Sequence, residues 1–379
     1  MGNTNTITIN DNDFTFSSND TIFNVAEQNN IDIPSLCHLK NTTPTGTCKV
    51  CVVEIKDQSD LVTSCSTAAV AGMKIYTESP KVISARKETI KSMLYSGNHN
   101  CAIRDFDAED WTEFQLNVIK EDKTNDLCPV WGDCELQNLA YKYQVTIKNE
   151  PLSDCKYPTE RANPFIIRDF SRCILCGRCV KACREIQVNN AIEFGYEGAD
   201  AKIIAGKNDV TLKDSDCVFC GECVQACPVG ALVTEKTFEC QRFIETKKTR
   251  TTCSYCGVGC QMDVFTQNNK IINIKGADNE LAPNFSSLCV KGRFGFDFVA
   301  SPERLTTPLI KKNGKLEEAT WDEALSFAAS KLGSIKDEFG PDSIGVLTSA
   351  RITNEENYIA QKFTRAVLKT NNIDHCARL

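Results

Sequence analysis

Residues 173 to 227 carry eight cysteines in two matching runs. Cys173, Cys176, Cys179 and Cys183 are spaced C-x2-C-x2-C-x3-C. Cys217, Cys220, Cys223 and Cys227 repeat that spacing, with Pro228 after the last. Thiolates at this pitch hold two [4Fe–4S] clusters, each run giving three sulfurs to one cluster and its fourth to the other. The expected sets are Cys173, Cys176, Cys179 and Cys227, and Cys217, Cys220, Cys223 and Cys183. Between the ligands stand Ile174, Leu175, Val180, Val218, Phe219 and Val224, which keep water off the sulfurs and help set potential.

The whole chain has 22 cysteines in 379 residues. A secreted disulfide scaffold is short and has a signal peptide, and neither holds here. Clustered C-x2-C groups in such a chain read as metal sites in a reducing compartment. No run of 18 apolar residues occurs, so no membrane span is expected. The N-terminus lacks a basic region and an apolar core, and a cytoplasmic, anaerobic setting is expected. A formal charge of −7 argues against nucleic acid as a partner.

Residues 1–79 read as a small α+β domain. Thr6 to Ile9 and Phe14 to Phe16 alternate as strands. Asn19 or Asp20 caps a helix with Ile22, Val25 and Ala26 on one face. Cys37, Cys48, Cys51 and Cys65 follow, with Gly46 in a loop suited to wrapping closely about an inorganic core. Four thiolates with one wide and one tight gap suit a [2Fe–2S] cluster, two per iron. Zinc is the alternative, although four-cysteine zinc sites usually pair two tight knuckles.

Residues 80–145 open with a helix over 81 to 97, its face formed by Val82, Ile83, Arg86, Ile90, Met93 and Leu94, with Gly97 as its stop. His99 and Cys101 come next; Cys128 and Cys134 lie beyond an inserted, amphipathic stretch around Trp111 and Phe114. In residues 146–245, the segment Ala191 to Leu212 reads as short strands with turns at Gly195 and Gly198, and Cys240 as a small buried hydrophobe. Residues 246–305 hold Cys253, Cys256, Cys260 and Cys289, with a different spacing and a long return. In residues 306–379 the pattern becomes α/β. Thr320 and Glu323 make a capping box, and Leu325, Ala328, Leu332, Ile335 and Phe339 form one face of a helix stopped at Gly340-Pro341. Ile344 to Leu347 reads as a buried strand. Asn354 starts a second helix with Ile359, Phe363, Ala366 and Val367 inward. One strand and two helices cannot bury a core alone.

These stretches carry a resemblance. The Cys37–Cys65 set resembles the N-terminal ferredoxin domain of the large iron–sulfur subunit of respiratory NADH dehydrogenase and of related hydrogenases and formate dehydrogenases. That implies a β-grasp [2Fe–2S] domain. GDCELQNLAYKY is similar to the [4Fe–4S] domain of those families that is ligated by one histidine and three cysteines. This implies His99, Cys101, Cys128 and Cys134 as ligands, with Cys155 open as a substitute for His99. The paired runs imply a bacterial-type ferredoxin domain. Cys253 to Cys289 with CVKGRFGFDFV resembles the N-terminal cluster motif of molybdopterin oxidoreductases, and Lys291 falls where that family places a lysine relaying electrons between cluster and pterin.

TNNIDHCARL resembles the segment leading into the catalytic residue of molybdopterin formate dehydrogenases. The family then implies a selenocysteine or cysteine immediately after Leu379, no catalytic ligand within the chain itself, and a reading frame cut at that codon. The implied architecture is multidomain α+β ending in the N-terminal part of an α/β molybdopterin oxidoreductase domain. The implied cofactors are one [2Fe–2S] cluster, four [4Fe–4S] clusters and a molybdopterin guanine dinucleotide with molybdenum or tungsten. The implied partners are formate and CO2, and a flavin/NADH-reactive subunit, a ferredoxin or hydrogenase subunits. An NADH dehydrogenase or hydrogenase subunit, and an electron carrier with no chemistry of its own, are the alternatives.

Overall fold

The computed structural model describes residues 5–97, 129–145, 156–239, 245–278 and 282–376. His99, Cys101, Cys128, Cys155 and Cys240 lie outside the described residues. The chain divides into two compact units, 1–246 and 247–379.

The first unit opens with a five-stranded mixed sheet made of β1 (Thr6–Ile9), β2 (Asn12–Thr15), β3 (Val52–Ile55), β4 (Val62–Thr63) and β5 (Lys74–Tyr76), in the order β2-β1-β5-β3-β4. β1 and β2 join through Asn10 and Asp11, both at positive φ (48° and 65°). Such a turn matches the twist of a tight hairpin, and it starts β2 two residues earlier than Phe14. Ile7 and Ile9 alternate inward and are buried. They meet α1 (Ile22–Gln28), whose Ile22, Val25 and Ala26 are buried as expected.

The N-cap of α1 is Thr21, not Asn19 or Asp20. Thr21 and Asn24 form a reciprocal capping box, whereas the Asp20 carboxylate accepts from the Ser17 amide. Asp20 is therefore spent on the preceding turn and is one residue too early for the helix.

α2 (Pro80–Tyr95) is capped by Ser79 with Pro80 in its first turn, a position where the missing N–H costs nothing. It ends at Ser96, just short of Gly97. Val82, Ile90 and Leu94 are buried on its inner face, and so is Arg86. α3 (Glu135–Lys142) packs in the same apolar cluster through Leu136 and Ala140.

The rest of the unit is built of short pieces. β6 (Ile166–Arg168) pairs antiparallel with β9 (Leu232–Thr234), and β7 (Ile192–Gly195) with β8 (Lys202–Ala205). α4 (Arg178–Lys181) runs into a π-helical turn, Ala182–Ile186, and α5 is Glu222–Ala226.

The second unit begins with the antiparallel meander β10 (Lys247–Thr252), β11 (Gln261–Gln267) and β12 (Lys270–Gly276). A one-turn helix, α6 (Val290–Phe294), follows. β13 (Leu309–Lys312) and β14 (Lys315–Glu318) form a hairpin through Asn313-Gly314, both at positive φ, a strong short-range hairpin signal.

α7 (Trp321–Phe339) has the expected Thr320–Glu323 capping box and stops at Gly340. β15 (Val346–Thr348) pairs in parallel with β16 (Ile373–His375). α8 (Asn354–Lys362) starts at Asn354 as expected and is capped by Thr353 and Glu356.

Two burial expectations fail here. Ile344 is buried but Leu347 is 88% exposed, and Ile359, Phe363 and Val367 are exposed; Leu325 and Phe339 on the face of α7 are exposed as well. The helices and strands form from local signals. A two-stranded sheet, however, cannot cover the faces of both helices and its own two sides.

Candidate iron–sulfur relay

Cys37, Cys48, Cys51 and Cys65 converge at the edge of the mixed sheet, all four at most 5% exposed. Cys51 follows directly on Val50 at the entry to β3, and Cys65 follows β4. The antiparallel β3–β4 pairing, with Val52 opposite Thr63, sets their sulfurs 3.4 Å apart. The other two sulfurs belong to the loop between α1 and β3 and accept backbone N–H groups: Leu36 donates to Cys48 Sγ and Cys48 to Cys37 Sγ, each at 3.5 Å.

Gly46 closes this loop at φ +65°, where a Cβ would lie 2.8 Å from Ser66 Oγ. Only glycine allows so tight a wrap. As free thiols the four resist joint ionisation. Hydrogen bonds from the Cys48 and Cys65 thiols push Cys37 far below its usual range, and one from Cys65 lowers Cys51 to about 7. Cys48 and Cys65 are raised in exchange, chiefly by their bonds to Cys37. Four thiolates this close need a metal cation among them.

The two repeated runs have matching backbones. Leu175 and Phe219 stand at φ 53° and 55°, and Gly177 and Gly221 at 77° and 75°. Left-handed conformations at a leucine and a phenylalanine are costly, and the same strain at the same place in both runs marks a common wrapping of backbone around sulfur. Cys173, Cys176, Cys179 and Cys227, joined by Cys223 of the second run, line one apolar cavity of about 40 Å³, walled by Ile192, Ile203, Leu212 and Val229. Burial pushes the Cys176 thiol up to about 12 and the Cys179 thiol well above its usual value, so these sulfurs too are uncomfortable as bare thiolates.

The second set is held by Cys217 Sγ accepting from the Phe219 amide (3.4 Å) and by Cys183 Sγ accepting from Ala191 (3.2 Å). Cys183 is buried within the π-helical turn that follows α4. Cys134, the described member of its set, is buried and caps α3, its Sγ accepting from the Gln137 amide. Its neighbour Glu135 donates its backbone N–H to Pro228 O, one residue past Cys227.

A further set of residues, marked by no motif, ties these sites together. Lys181 lies between Cys179 and Cys183, is 6% exposed, and donates Nζ to the Cys37 carbonyl at 3.1 Å. Arg178 donates Nε to the His38 carbonyl at 2.7 Å and reaches Glu135 at 2.5 Å. Glu185 accepts from the Thr43 amide. The only sign in the sequence is two cations placed among ligands, where apolar residues otherwise prevail. His38 stacks on Phe23 at 4.4 Å. Burial first lowers its pKa, and the nearby Lys181 and Arg178 work in the same direction.

In the second unit Cys253, Cys256, Cys260 and Cys289 lie near one another: burial first, and then the charges of the neighbouring thiols, push the Cys253 and Cys260 thiols up. Cys253 is buried and Cys289, the N-cap of α6, is exposed. Gly292 faces the Cys253 sulfur, 3.6 Å from where its Cβ would be. Lys291 is exposed on α6. A polar pocket of about 350 Å³ opens at the ends of β15 and β16, lined by Thr348, Ser349, Asn357, Gln361, Asp374 and His375. No helix among the described residues is long and apolar enough to cross a membrane.

Four families match along the chain, described as a 2Fe-2S iron-sulfur cluster binding domain (3–80), a 4Fe-4S dicluster domain (172–231), a molybdopterin oxidoreductase Fe4S4 domain (246–301) and a molybdopterin oxidoreductase (304–379). Among similar proteins, "Putative formate dehydrogenase YrhE" of Bacillus subtilis is 36% identical over 94% of this chain and 38% of its own length. "Probable oxidoreductase YjgC" of the same organism is 33% identical over 100% of this chain and 40% of its own. The chain thus spans about two fifths of the length of the curated relatives it matches. A solved NAD+-reducing [NiFe]-hydrogenase is similar over 61% of this chain and 87% of the matched chain, with TM-score 0.50 and 25% identity. The chain therefore carries iron–sulfur domains followed by the opening of a molybdopterin oxidoreductase domain.

Proposed function

We propose that the chain is the relay part of a formate dehydrogenase catalytic subunit, passing electrons between a molybdenum or tungsten bis-pterin site and a NAD(P)- or ferredoxin-linked partner. Formate as substrate rests on the relatives named as formate dehydrogenases. A NAD-linked partner rests on the hydrogenase likeness. The observation that carries the relay is the contact of Lys181 with the Cys37 carbonyl. It joins two residues 144 positions apart, one among the ligands of each set, and so supports the two sets lying side by side.

The proposed ligands are Cys37, Cys48, Cys51 and Cys65 for a [2Fe–2S] cluster in a β-grasp domain. Four [4Fe–4S] sites follow: His99 (or Cys155) with Cys101, Cys128 and Cys134; Cys173, Cys176, Cys179 and Cys227; Cys217, Cys220, Cys223 and Cys183; and Cys253, Cys256, Cys260 and Cys289. When bound, the clusters accept and release single electrons and the pterin metal takes two at once. The protein's own task is to fix spacing, exclude water and direct N–H groups at sulfur, which together set potential. Lys291 is the proposed link from the last cluster to the pterin. The polar pocket at the ends of β15 and β16 is the share of the pterin site that this chain supplies, at the strand ends where α/β sheets bind ligands.

Iron and acid-labile sulfide analysis of the anaerobically purified chain tests the relay, with about eighteen irons expected per chain. A content of about two or fewer, or stoichiometric zinc, defeats it. Formate-dependent dye reduction by the full-length protein tests the substrate; activity on a different oxyanion with none on formate defeats that half alone.

A further inference from the structure

We propose that Arg86 is the positioning and potential-setting residue of the [2Fe–2S] site, acting on the Cys51 ligand loop from behind. The inference rests on the assignment of that site to Cys37, Cys48, Cys51 and Cys65.

Arg86 occupies a core position on α2 and is 0% exposed. An arginine on an apolar helix face is costly unless its donors are filled. Here they are. Nε donates to the Val50 carbonyl at 3.0 Å and Nη2 to the Val52 carbonyl at 2.8 Å. These two carbonyls flank Cys51. The carbonyl of Cys51 itself accepts from the Ser64 amide at 3.0 Å and from Ser64 Oγ at 2.8 Å. Three successive carbonyls around one ligand are thereby fixed, two of them by a single planar fork that a lysine cannot reproduce.

The remaining nitrogen, Nη1, donates to Glu78 Oε1 (2.7 Å) and to the Tyr143 hydroxyl (2.8 Å), and that hydroxyl donates in turn to Glu78 at 3.1 Å. Tyr143 is the residue that closes α3, the helix begun by Cys134. The cation thus holds the Cys51 loop on one side and the end of the Cys134 helix on the other.

Its charge acts as well as its shape. A guanidinium stays protonated in a protein. A fixed positive charge buried behind a ligand favours the cluster in its reduced, more negative state and raises its reduction potential. Glu78 lies on the far side of the guanidinium and is partly exposed, so it offsets that effect from a position that tolerates substitution.

The test is an EPR-monitored redox titration of the full chain, purified anaerobically, for wild type, Arg86→Met, Arg86→Lys and Glu78→Gln. The expected result is a [2Fe–2S] midpoint shifted down in Arg86→Met, shifted up in Glu78→Gln, and in Arg86→Lys lying between Arg86→Met and wild type. The midpoints of the Cys217-set cluster stay in place. Opposite shifts from two variants of one ion pair separate an electrostatic role from simple loosening, which would move both the same way. If Arg86→Met assembles no cluster, Glu78→Gln decides alone: an upward shift upholds the inference and an unmoved midpoint overturns it. Equal or absent shifts in both variants overturn it while leaving the site intact. A wild-type chain with no [2Fe–2S] signal on reduction overturns the site and, with it, the inference.

Discussion

The first and last cysteine sets differ in how they are walled. Cys37, Cys48, Cys51 and Cys65 are all buried, between a five-stranded sheet with α1 on one side and the apolar cluster around Ile90 and Leu94 on the other. Of Cys253, Cys256, Cys260 and Cys289, one is buried, two are half-buried and one is exposed, beside a three-stranded meander and a single helical turn. A thiolate set is protected by the apolar mass its own elements contribute, whatever the regularity of its spacing. The first set closes over itself; the last is left open by the described residues of its unit.

The largest consequence is kinetic. Iron leaves a cluster through local opening, and opening free energies range from near zero at exposed segments to the global value in a core. Every 1.4 kcal/mol of difference is about tenfold in rate. Under an anaerobic iron chelator, the Cys253 set should lose its cluster at least about ten times faster than the Cys37 set, followed by their distinct EPR signals. Equal rates would break the comparison, because exposure of Cys289 would then not govern access.

The same contrast extends to side chains that bear no metal. Ile90 is fully buried in the first unit, and Ile90→Ala should cost about 2–5 kcal/mol. Leu347 is 88% exposed in the second, and Leu347→Ala should stay within about 0.5 kcal/mol. Denaturant unfolding of each variant with cluster absorbance and far-UV circular dichroism as probes measures both. A large cost at Leu347 would mean that β15 is covered in solution.

These two residues also mark where the sequence was readable. Ile90 repeats at helical spacing with Val82 and Leu94, and its burial follows from period alone. Leu347 has the same apolar character, but burial of a strand depends on layers that its own segment does not encode. Local signals held wherever they were sufficient, as at the Thr320–Glu323 box and at the stop at Gly340. They slipped by one residue where two polar side chains competed, so that Thr21 caps α1 while Asp20 serves the turn before it. The cysteine runs were legible because ligand spacing is a local property. Lys181 against the Cys37 carbonyl was not, because it joins residues 144 apart and no short-range pattern reports such a pair. Arg86 stood on the apolar face of its helix from the start. What hid its role is that period assigns a face and says nothing about which carbonyls wait there.

The smallest effect contrasts one ion pair from each unit. In the Arg86–Glu78 pair of the first unit the buried partner is a cation. In the pairing of β10 with β11 in the second unit it is an anion. Asp263 on β11 is 5% exposed and pairs with Arg250 at 2.6 Å and Lys248 at 3.0 Å, both on β10. The hydrogen bonds from Arg250, with Lys248 behind them, hold its carboxyl below the usual carboxylate range. A group whose folded pKa is depressed contributes stability above its unfolded pKa, about 3.9 for an aspartate, and loses that contribution as pH falls through the lower folded value. The pairing cations are half exposed and water screens them, so the contribution is about 0.2–1 kcal/mol. Protection of the β10 and β11 amides from hydrogen exchange, taken relative to the intrinsic rate at each pH, should therefore be the same at pH 5 as at pH 7, and should fall as pH drops below about 4. In Asp263→Asn that acid-dependent step should vanish, with protection lower by the same small amount at pH 5 and above. An acid step that persists unchanged in the variant would assign it to another carboxylate and remove Asp263 as the charge that fixes β10 to the meander.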